Sequence, residues 1–351
     1  MAGNNDPKIA IPKPTSAGRD PGSAGLGIAL IGAGKMGERW AKTVTTHLKT
    51  ELIAVIDNDF DKASDLARKH NIPFFRYYRN LDVYKVEARA VILALPNQFM
   101  ADAATEILNM NKHVLAEKPA ARNTAELEET VKLAEEKKLV FMPGYNYRHL
   151  AHVKRAKELV DSGAIGKIMF IRGTHGASGR PGYEKEWRHK KSCGGGVLLD
   201  QAVHMIDLSR WFVGDFVKAE GIKKNLFWKS GVEDNAFLHL ETADGILVSL
   251  HASWTEWKPK FRFEIFGATG YVIVEGLKNY LQEERLTLGK RSDDFLGSNV
   301  KEEVFVFNED AQTSLAKELD EFVAAIEECR EPKPNGRDAI EVLKIIEKIK
   351  L

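Results

Sequence analysis

The sequence predicts an α/β chain of two domains, a doubly wound parallel sheet followed by an α+β domain on a largely antiparallel open sheet. Three observations lead there. Before Asn146, short runs that are apolar throughout alternate with amphipathic segments, as in a parallel sheet covered on both faces. After Asn146, long alternating runs follow one another with few helices between them. A glycine-rich stretch joins the first apolar run to the first helical segment.

The elements follow in order. GIALIG (27–32), LIAVID (52–57), AVILALP (90–96), HVLAEKP (113–119) and LVFMPGYN (139–146) read as strands. Between them lie AGKMGERWAKTV, FDKASDLARKH, MADAATEILNM and NTAELEETVKLAEEKK as helices. RHLAHVKRAKELVDSGAIG reads as a helix closed by Gly163 or Gly166. The second domain opens with KIMFIRGTHGA and continues through VKAEGIKKNLFW (217–228), NAFLHLETADGILVSLHASW, FRFEIFG and YVIVEG. Ala243-Asp244-Gly245 sits between alternating runs as a hairpin turn. GGVLLDQAVHMIDLSRWF (195–212) is the one clear helix inside this region, and two more, near 311–330 and 337–350, finish the chain. The expected domains are 26–145 and 146–351, preceded by a Pro/Gly/Ser-rich flexible leader over 1–25; the final helices are candidates to dock back on the first domain.

Lys plus Arg (51) and Asp plus Glu (50) nearly cancel, so no global charge points to nucleic acid or to a membrane surface. No apolar run approaches the roughly 20 residues that span a bilayer. Two cysteines, Cys193 and Cys329, make neither a disulfide framework nor a zinc knuckle, which fits a reducing cytoplasm. No metal-ligand pattern is present, and Cys193 has no evident partner for nucleophilic catalysis.

Gly32-Ala33-Gly34-Lys35-Met36-Gly37 is G-x-G-x-x-G, placed where a strand ends and a helix opens. Gly32 permits the tight turn, Gly34 lets the backbone approach a pyrophosphate, and Gly37 allows close helix–strand packing. The helix start, with Lys35 and Met36, offers free N–H groups to phosphates. Asp57 ends the second strand 20 residues beyond Gly37, where a carboxylate accepts from ribose hydroxyls and repels a 2′-phosphate. These features predict a Rossmann domain for NAD, with NADP as the alternative cofactor. Leu95, Pro96, Asn97, Glu117 and Lys118 follow strands at the carboxyl edge of the sheet, where ligands of this fold bind.

Asp200 and His204 are four apart on one expected helix and so share a face, and Gly194-Gly195-Gly196 before them allow close approach to a ligand. Lys118 can polarise a substrate oxygen and His204 can act as a base near neutral pH. In the order Gly32-x-Gly34-x-x-Gly37, Asp57, Leu95-Pro96-Asn97, Glu117-Lys118-Pro119 and Asp200-x-x-x-His204-x-x-Asp207, the chain resembles the glucose–fructose oxidoreductase/inositol dehydrogenase (Gfo/Idh/MocA) family from Leu26 to the C-terminal helices. The resemblance implies Lys118, Asp200 and His204 as the catalytic group. It also implies hydride transfer on a secondary hydroxyl or carbonyl of a sugar or cyclitol, and a homo-oligomer, dimer or tetramer, joined through the open sheet. Two positions depart from the usual pattern: Gln201 stands where many members have Gly, and Met100 replaces a histidine.

Tyr145, Asn146 and Arg148 at the domain junction and His175 are candidates to line the substrate cleft. SGRPGYEKEWRHKKS (178–192) offers Arg180 and Trp187, with Arg188 and Tyr183 nearby, for an anionic sugar such as a nucleotide sugar or sugar acid. Glu184 and Glu186 partly balance its charge. Two other functions fit the same motifs: a non-catalytic dinucleotide-binding regulator, and a sugar–sugar oxidoreductase holding NADP permanently.

Overall fold

The computed structural model describes residues 25–349 apart from 84, 180–181, 279–281 and 293–299. The expected leader, except for Gly25, lies outside the described residues, and so does Arg180.

The first domain holds β1 (Leu26–Ile31), α1 (Lys35–Thr46), β2 (Thr50–Ile56), α2 (Phe60–His70), β3 (Phe74–Phe75), α3 (Asn80–Val83), β4 (Ala90–Leu93), α4 (Asn97–Asn109), β5 (His113–Glu117), α5 (Thr124–Lys137) and β6 (Phe141–Gly144). Its strands form a parallel sheet in the order β3-β2-β1-β4-β5-β6. The strands are apolar throughout because both faces are buried. Ile28, Leu30, Ile92 and Leu115 pack with Trp40 and Val44 of α1, while Ala29, Ile31, Val91 and Val114 pack with Ile107 of α4 and Leu127 of α5. Side chains of Asp59 and Asn123 cap α2 and α5 by accepting from Lys62 N and Glu126 N. The strand order reverses between β1 and β4, which opens a crevice at their carboxyl ends.

A short turn at Asn146–His149 leads to α6 (Ala151–Asp161), after which come β7 (Ile168–Gly176), α7 (Val203–Val213), β8 (Phe216–Lys224), β9 (Asn235–Thr242), β10 (Leu247–Ser253), β11 (Lys260–Gly267), β12 (Gly270–Glu275), β13 (Glu284–Lys290), β14 (Glu302–Phe307), α8 (Thr313–Glu327) and α9 (Gly336–Lys348). The eight strands are ordered β14-β13-β12-β11-β7-β10-β9-β8, antiparallel except for the β7–β10 pair. Gly245, at φ 85°, closes the expected β9–β10 hairpin with Thr242 N donating to Ile246 O over 3.1 Å.

The structure departs from the sequence reading in three places. The expected strand 217–228 stops at Lys224, because the Asp234 carboxylate accepts from the backbone N–H groups of Leu226, Phe227 and Trp228 and turns the chain away from the sheet. β3, β13 and β14 are additional strands. The single helix expected over 195–212 is a π turn, Leu198–Ala202, running into α7. Helix α8 docks on the first domain, with Leu315, Leu319 and Phe322 in one cluster with Trp40 and Ile28. No helix among the described residues is long and apolar enough to cross a membrane.

Candidate active site

The glycine-rich loop lies at the β1/β4 crevice. Gly32, at φ 102°, turns so close to β4 that a Cβ would stand 2.3 Å from Ala94 O, and a Cβ on Gly37 would stand 1.9 Å from Gly32 O. Gly34 is different. It has an ordinary φ of −78° as the N-cap of α1, and a Cβ there would meet nothing within 4 Å. Nothing inside the protein requires glycine at position 34, so the open space above it fits the close approach of a pyrophosphate to the helix N-terminus. Lys35 is exposed and Met36 half-buried on the first turn. Asp57 braces the loop, its Oδ2 accepting from Ala33 N at 2.7 Å and its Oδ1 from Asp59 N at 2.8 Å.

Leu95 and Pro96 follow β4, half-exposed at the crevice, with Pro96 at the start of α4. Asn97 is buried, and its Nδ2 donates to Gly194 O over 2.7 Å, tying the first domain to the glycine run before Asp200. Glu117 accepts from Trp40 Nε1 at 2.8 Å, and burial raises its carboxyl above the usual range. Asn97 and Glu117 thus spend these side-chain groups on the protein itself, a use the sequence reading did not foresee.

At the end of β5, Lys118 Nζ donates to the Asp200 backbone carbonyl at 2.5 Å and to its Oδ1 at 3.3 Å. Asp200 also receives Arg188 Nε at 3.3 Å on Oδ1 and Trp254 Nε1 at 3.1 Å on Oδ2. Burial opposes its charge, but Lys118, Arg188 and Trp254 outweigh that and hold the carboxyl well below the usual carboxylate range. Trp254 is fully buried at the end of β10. A strand-end tryptophan needing a partner for its N–H was the signal that could have placed it here.

One helical turn on, the His204 ring stacks on Tyr147, with centroids 3.9 Å apart and an interplanar angle of 10°. Burial, with Lys118 and His175 beside it, pushes its pKa well below the usual histidine value, so the imidazole is neutral at neutral pH. Its Nδ1 is buried with no partner among the described residues. His175 is 1% exposed, contacts Tyr147 Oη at 3.2 Å through Nε2, and is lowered by burial to about 4. The π turn corrects the expectation of a uniform helix: Val203 N donates back to Leu198 O, widening the turn that carries Asp200. Gln201, with its amide nitrogen turned inward, donates to His175 O at 3.0 Å and Ser253 O at 2.9 Å, binding this turn to β7 and β10.

The remaining candidates divide. Arg148 makes a buried two-point pair with Asp207, at 2.8 and 2.6 Å, and reaches Asp338 at 3.3 Å, so its charge serves the interior of the second domain. Tyr145 is 1% exposed beside that pair, as packing rather than cleft lining. Asn146 is half-buried on the junction turn. Trp187 is half-buried under the Arg188 guanidinium, 4.6 Å from its ring centroid. Arg188, expected beside Arg180 and Trp187 as a cation for an anionic sugar, instead sits on Asp200 and on Glu186, at 3.3 Å each. Met100 is fully buried in the core.

Residues 26–145 match the family described as "Oxidoreductase family, NAD-binding Rossmann fold", and residues 153–273 match the GFO/IDH/MocA C-terminal domain. The chain is 37% identical over 235 residues to levoglucosan dehydrogenase of Pseudarthrobacter phenanthrenivorans, a match spanning 59% of each chain. It is 28% identical over 280 residues to inositol 2-dehydrogenase of Rubrobacter xylanophilus, spanning 77% of each. Its fold superposes on a solved levoglucosan dehydrogenase, in complex with NADH and levoglucosan, with a TM-score of 0.83 at 23% identity, covering 92% of this chain and 95% of that one. The glycine loop, the Lys118–Asp200 contact and the two matched domains together place this chain in the Gfo/Idh/MocA family of oxidoreductases.

Proposed function

We propose that this protein is an NAD(H)-dependent dehydrogenase that interconverts a secondary hydroxyl and a carbonyl on a sugar, sugar derivative or cyclitol. The observation that carries the reading is the meeting of Lys118, Asp200 and His204 at the carboxyl edge of the sheet that bears the glycine loop. Relatives named levoglucosan dehydrogenase and inositol 2-dehydrogenase support the polyol class.

The bound nicotinamide supplies a hydride acceptor, or in reverse a hydride donor. Lys118, fixed by Asp200, donates to the substrate oxygen and stabilises the negative charge that grows there as the proton leaves. Neutral His204 takes that hydroxyl proton in oxidation and returns it in reduction. Asp200 keeps Lys118 and Arg188 in place and balances their charge. Because Arg188 is already paired with Asp200 and Glu186, the cleft favours a neutral polyol over an anionic sugar. Asp57 favours NAD over NADP by repelling a 2′-phosphate. The assembled catalytic group argues against a regulator without chemistry.

Oligomerisation belongs to the same reading. The outer face of the second sheet carries exposed Ile222, Phe237, Leu247, Val304 and Val306, a surface suited to a dimer or tetramer of this chain. Free Cys193 and Cys329 suit the cytoplasm.

The test is a screen of sugars, cyclitols, sugar acids and nucleotide sugars with NAD and NADP, following the absorbance of the reduced nicotinamide. Turnover of a neutral polyol with NAD is expected. Turnover confined to acidic or nucleotide sugars would reverse the substrate assignment, and none with any member would remove the function.

A further inference from the structure

Gly194, Gly195 and Gly196, expected to admit a ligand, instead admit other parts of the protein. A Cβ on Gly194 would stand 2.8 Å from the Arg122 side chain, and one on Gly195 would stand 2.0 Å from Arg188 O. A Cβ on Gly196 would stand 2.2 Å from Glu233 Oε1. The run is a junction at which three other segments press on the approach to Asp200. Gly196, at φ 114°, makes its last bend.

Glu233 does more than occupy that space. Its backbone carbonyl accepts from Val197 N at 3.1 Å, and its Oε1 accepts from Leu198 N at 3.2 Å. Leu198 opens the π turn, so its N–H has no acceptor within the turn, and a carboxylate suits this positive end. Gly196 O, in the same bend, accepts from Asp200 N at 3.1 Å. The next residue, Asp234, reaches Asp200 by a second route. Its backbone carbonyl accepts from Trp254 N at 2.8 Å, and Trp254 Nε1 donates to Asp200 Oδ2 at 3.1 Å. Asp234 is itself fully buried, and its N donates to Lys224 O at the end of β8 over 3.0 Å. Two successive residues ahead of β9 therefore converge on one carboxylate, one through the main chain of the π turn and the other through an indole.

We infer that Glu233 is a positioning residue for the reaction. By holding the first N–H of the π turn it sets the direction of the Asp200 carboxylate, and through it the place of the Lys118 ammonium over the crevice. It acts through Asp200 rather than on the substrate. Its part in turnover rests on the dehydrogenase reading above; its hold on Asp200 can be read without any substrate.

The indole proton of Trp254 reports on Asp200 and is followed by 15N–1H NMR of the full chain with NADH, assigned by its loss in Trp254→Phe. The indole proton of Trp40, bonded to Glu117 at 2.8 Å in the first domain, is the internal reference. In Glu233→Ala and Glu233→Asp, whose side chains fall short of Leu198 N, the Trp254 signal moves upfield as its bond to a charged acceptor lengthens. The Trp40 signal stays. Glu233→Gln keeps an acceptor oxygen and leaves both signals in place. The same variants are assayed with NAD on glucose and myo-inositol. On a sugar that the parent turns over, Glu233→Ala and Glu233→Asp lower kcat by about 10- to 100-fold, the cost of roughly 1 Å of misplacement. KM stays within about 3-fold, and Glu233→Gln keeps the parent rate. A Trp254 signal that stays put in both shortened variants overturns the inference, as does one that moves together with Trp40 or moves equally in Glu233→Gln. A moved Trp254 signal with unchanged kcat makes Glu233 a brace of the fold alone, which overturns the positioning role and leaves the dehydrogenase reading standing. Turnover of neither sugar by the parent counts against the dehydrogenase reading, and the indole signals then decide by themselves whether Glu233 holds Asp200.

Discussion

Lys118 Nζ lies 2.5 Å from the backbone carbonyl of Asp200 and 3.3 Å from its carboxylate, so a strand end of one domain is clasped by a helical turn of the other. The carboxylate alone would leave the ammonium free to swing. Two acceptors on one residue restrict it to a single direction over the crevice.

This clasp predicts the behaviour of two variants. Lys118→Ala removes the donor to the substrate oxygen, and His204→Ala removes the base. Each lowers kcat by about 10²-fold or more, the range of acid–base assistance. Neither side chain braces the glycine loop, so NADH affinity, read by fluorescence titration, stays within a few-fold of the parent. Loss of NADH binding in both would mean that these groups hold the cofactor rather than the substrate.

Glu318 on α8 is fully buried, and neither of its carboxyl oxygens has a partner among the described residues. Burial, with Glu117 nearby, pushes its pKa well above the ordinary carboxyl value. The sign follows from linkage. The folded state keeps this proton where the unfolded chain, with a pKa near 4.3, releases it. The stability held by the protonated form is therefore complete below that pH and is lost as pH rises towards the folded pKa. Glu318→Gln keeps the shape and removes the ionisation. It should raise Tm at pH 8 and have little effect near pH 4, measured by thermal denaturation across that range. An equal effect at both pH values would show that Glu318 is ionised in the fold.

The first domain was legible because both faces of its sheet are buried, which writes each strand as a continuous apolar run. The two-residue β3 gives no such run, and the parallel β7–β10 pair joins strands far apart in the chain, so no local pattern encodes it. Within the site, Gly34, Lys118, Asp200 and His204 stand at motif spacings. The π turn, the Trp254 donor and the placement of Arg188 on Asp200 depend on tertiary packing. Arg148 shows the limit most clearly. Its position at the junction suggested the cleft, and only the fold shows Asp207 and Asp338 drawing it inward.

That buried pair carries its own prediction. Arg148→Met strips the partner from Asp207, which is 1% exposed, and an uncompensated buried charge costs about 3–5 kcal/mol. Tm should fall by roughly 6 °C or more. Arg148→Met combined with Asp207→Leu should be less destabilised than the sum of the single changes, as a double-mutant cycle in urea would show. Strict additivity would mean that the two groups do not interact in solution.

The glycine loop separates folding from binding within four residues. A methyl on Gly37 would stand 1.9 Å from Gly32 O, a backbone atom that cannot yield without moving β1 from α1. Gly37→Ala should therefore lower Tm and reduce soluble yield. A methyl on Gly34 meets nothing within 4 Å, and its φ of −78° suits any residue. Gly34→Val should lower Tm by only a few °C, the modest cost of a poorer N-cap on α1 with no clash behind it. It should nevertheless weaken NADH binding at least 10-fold, because the branched side chain fills the space the pyrophosphate needs. Calorimetric titration with NADH beside a thermal melt of the same sample reads both quantities. A Gly34→Val protein that binds NADH normally would show that the open space is unused, and the cofactor assignment would have to move from this loop.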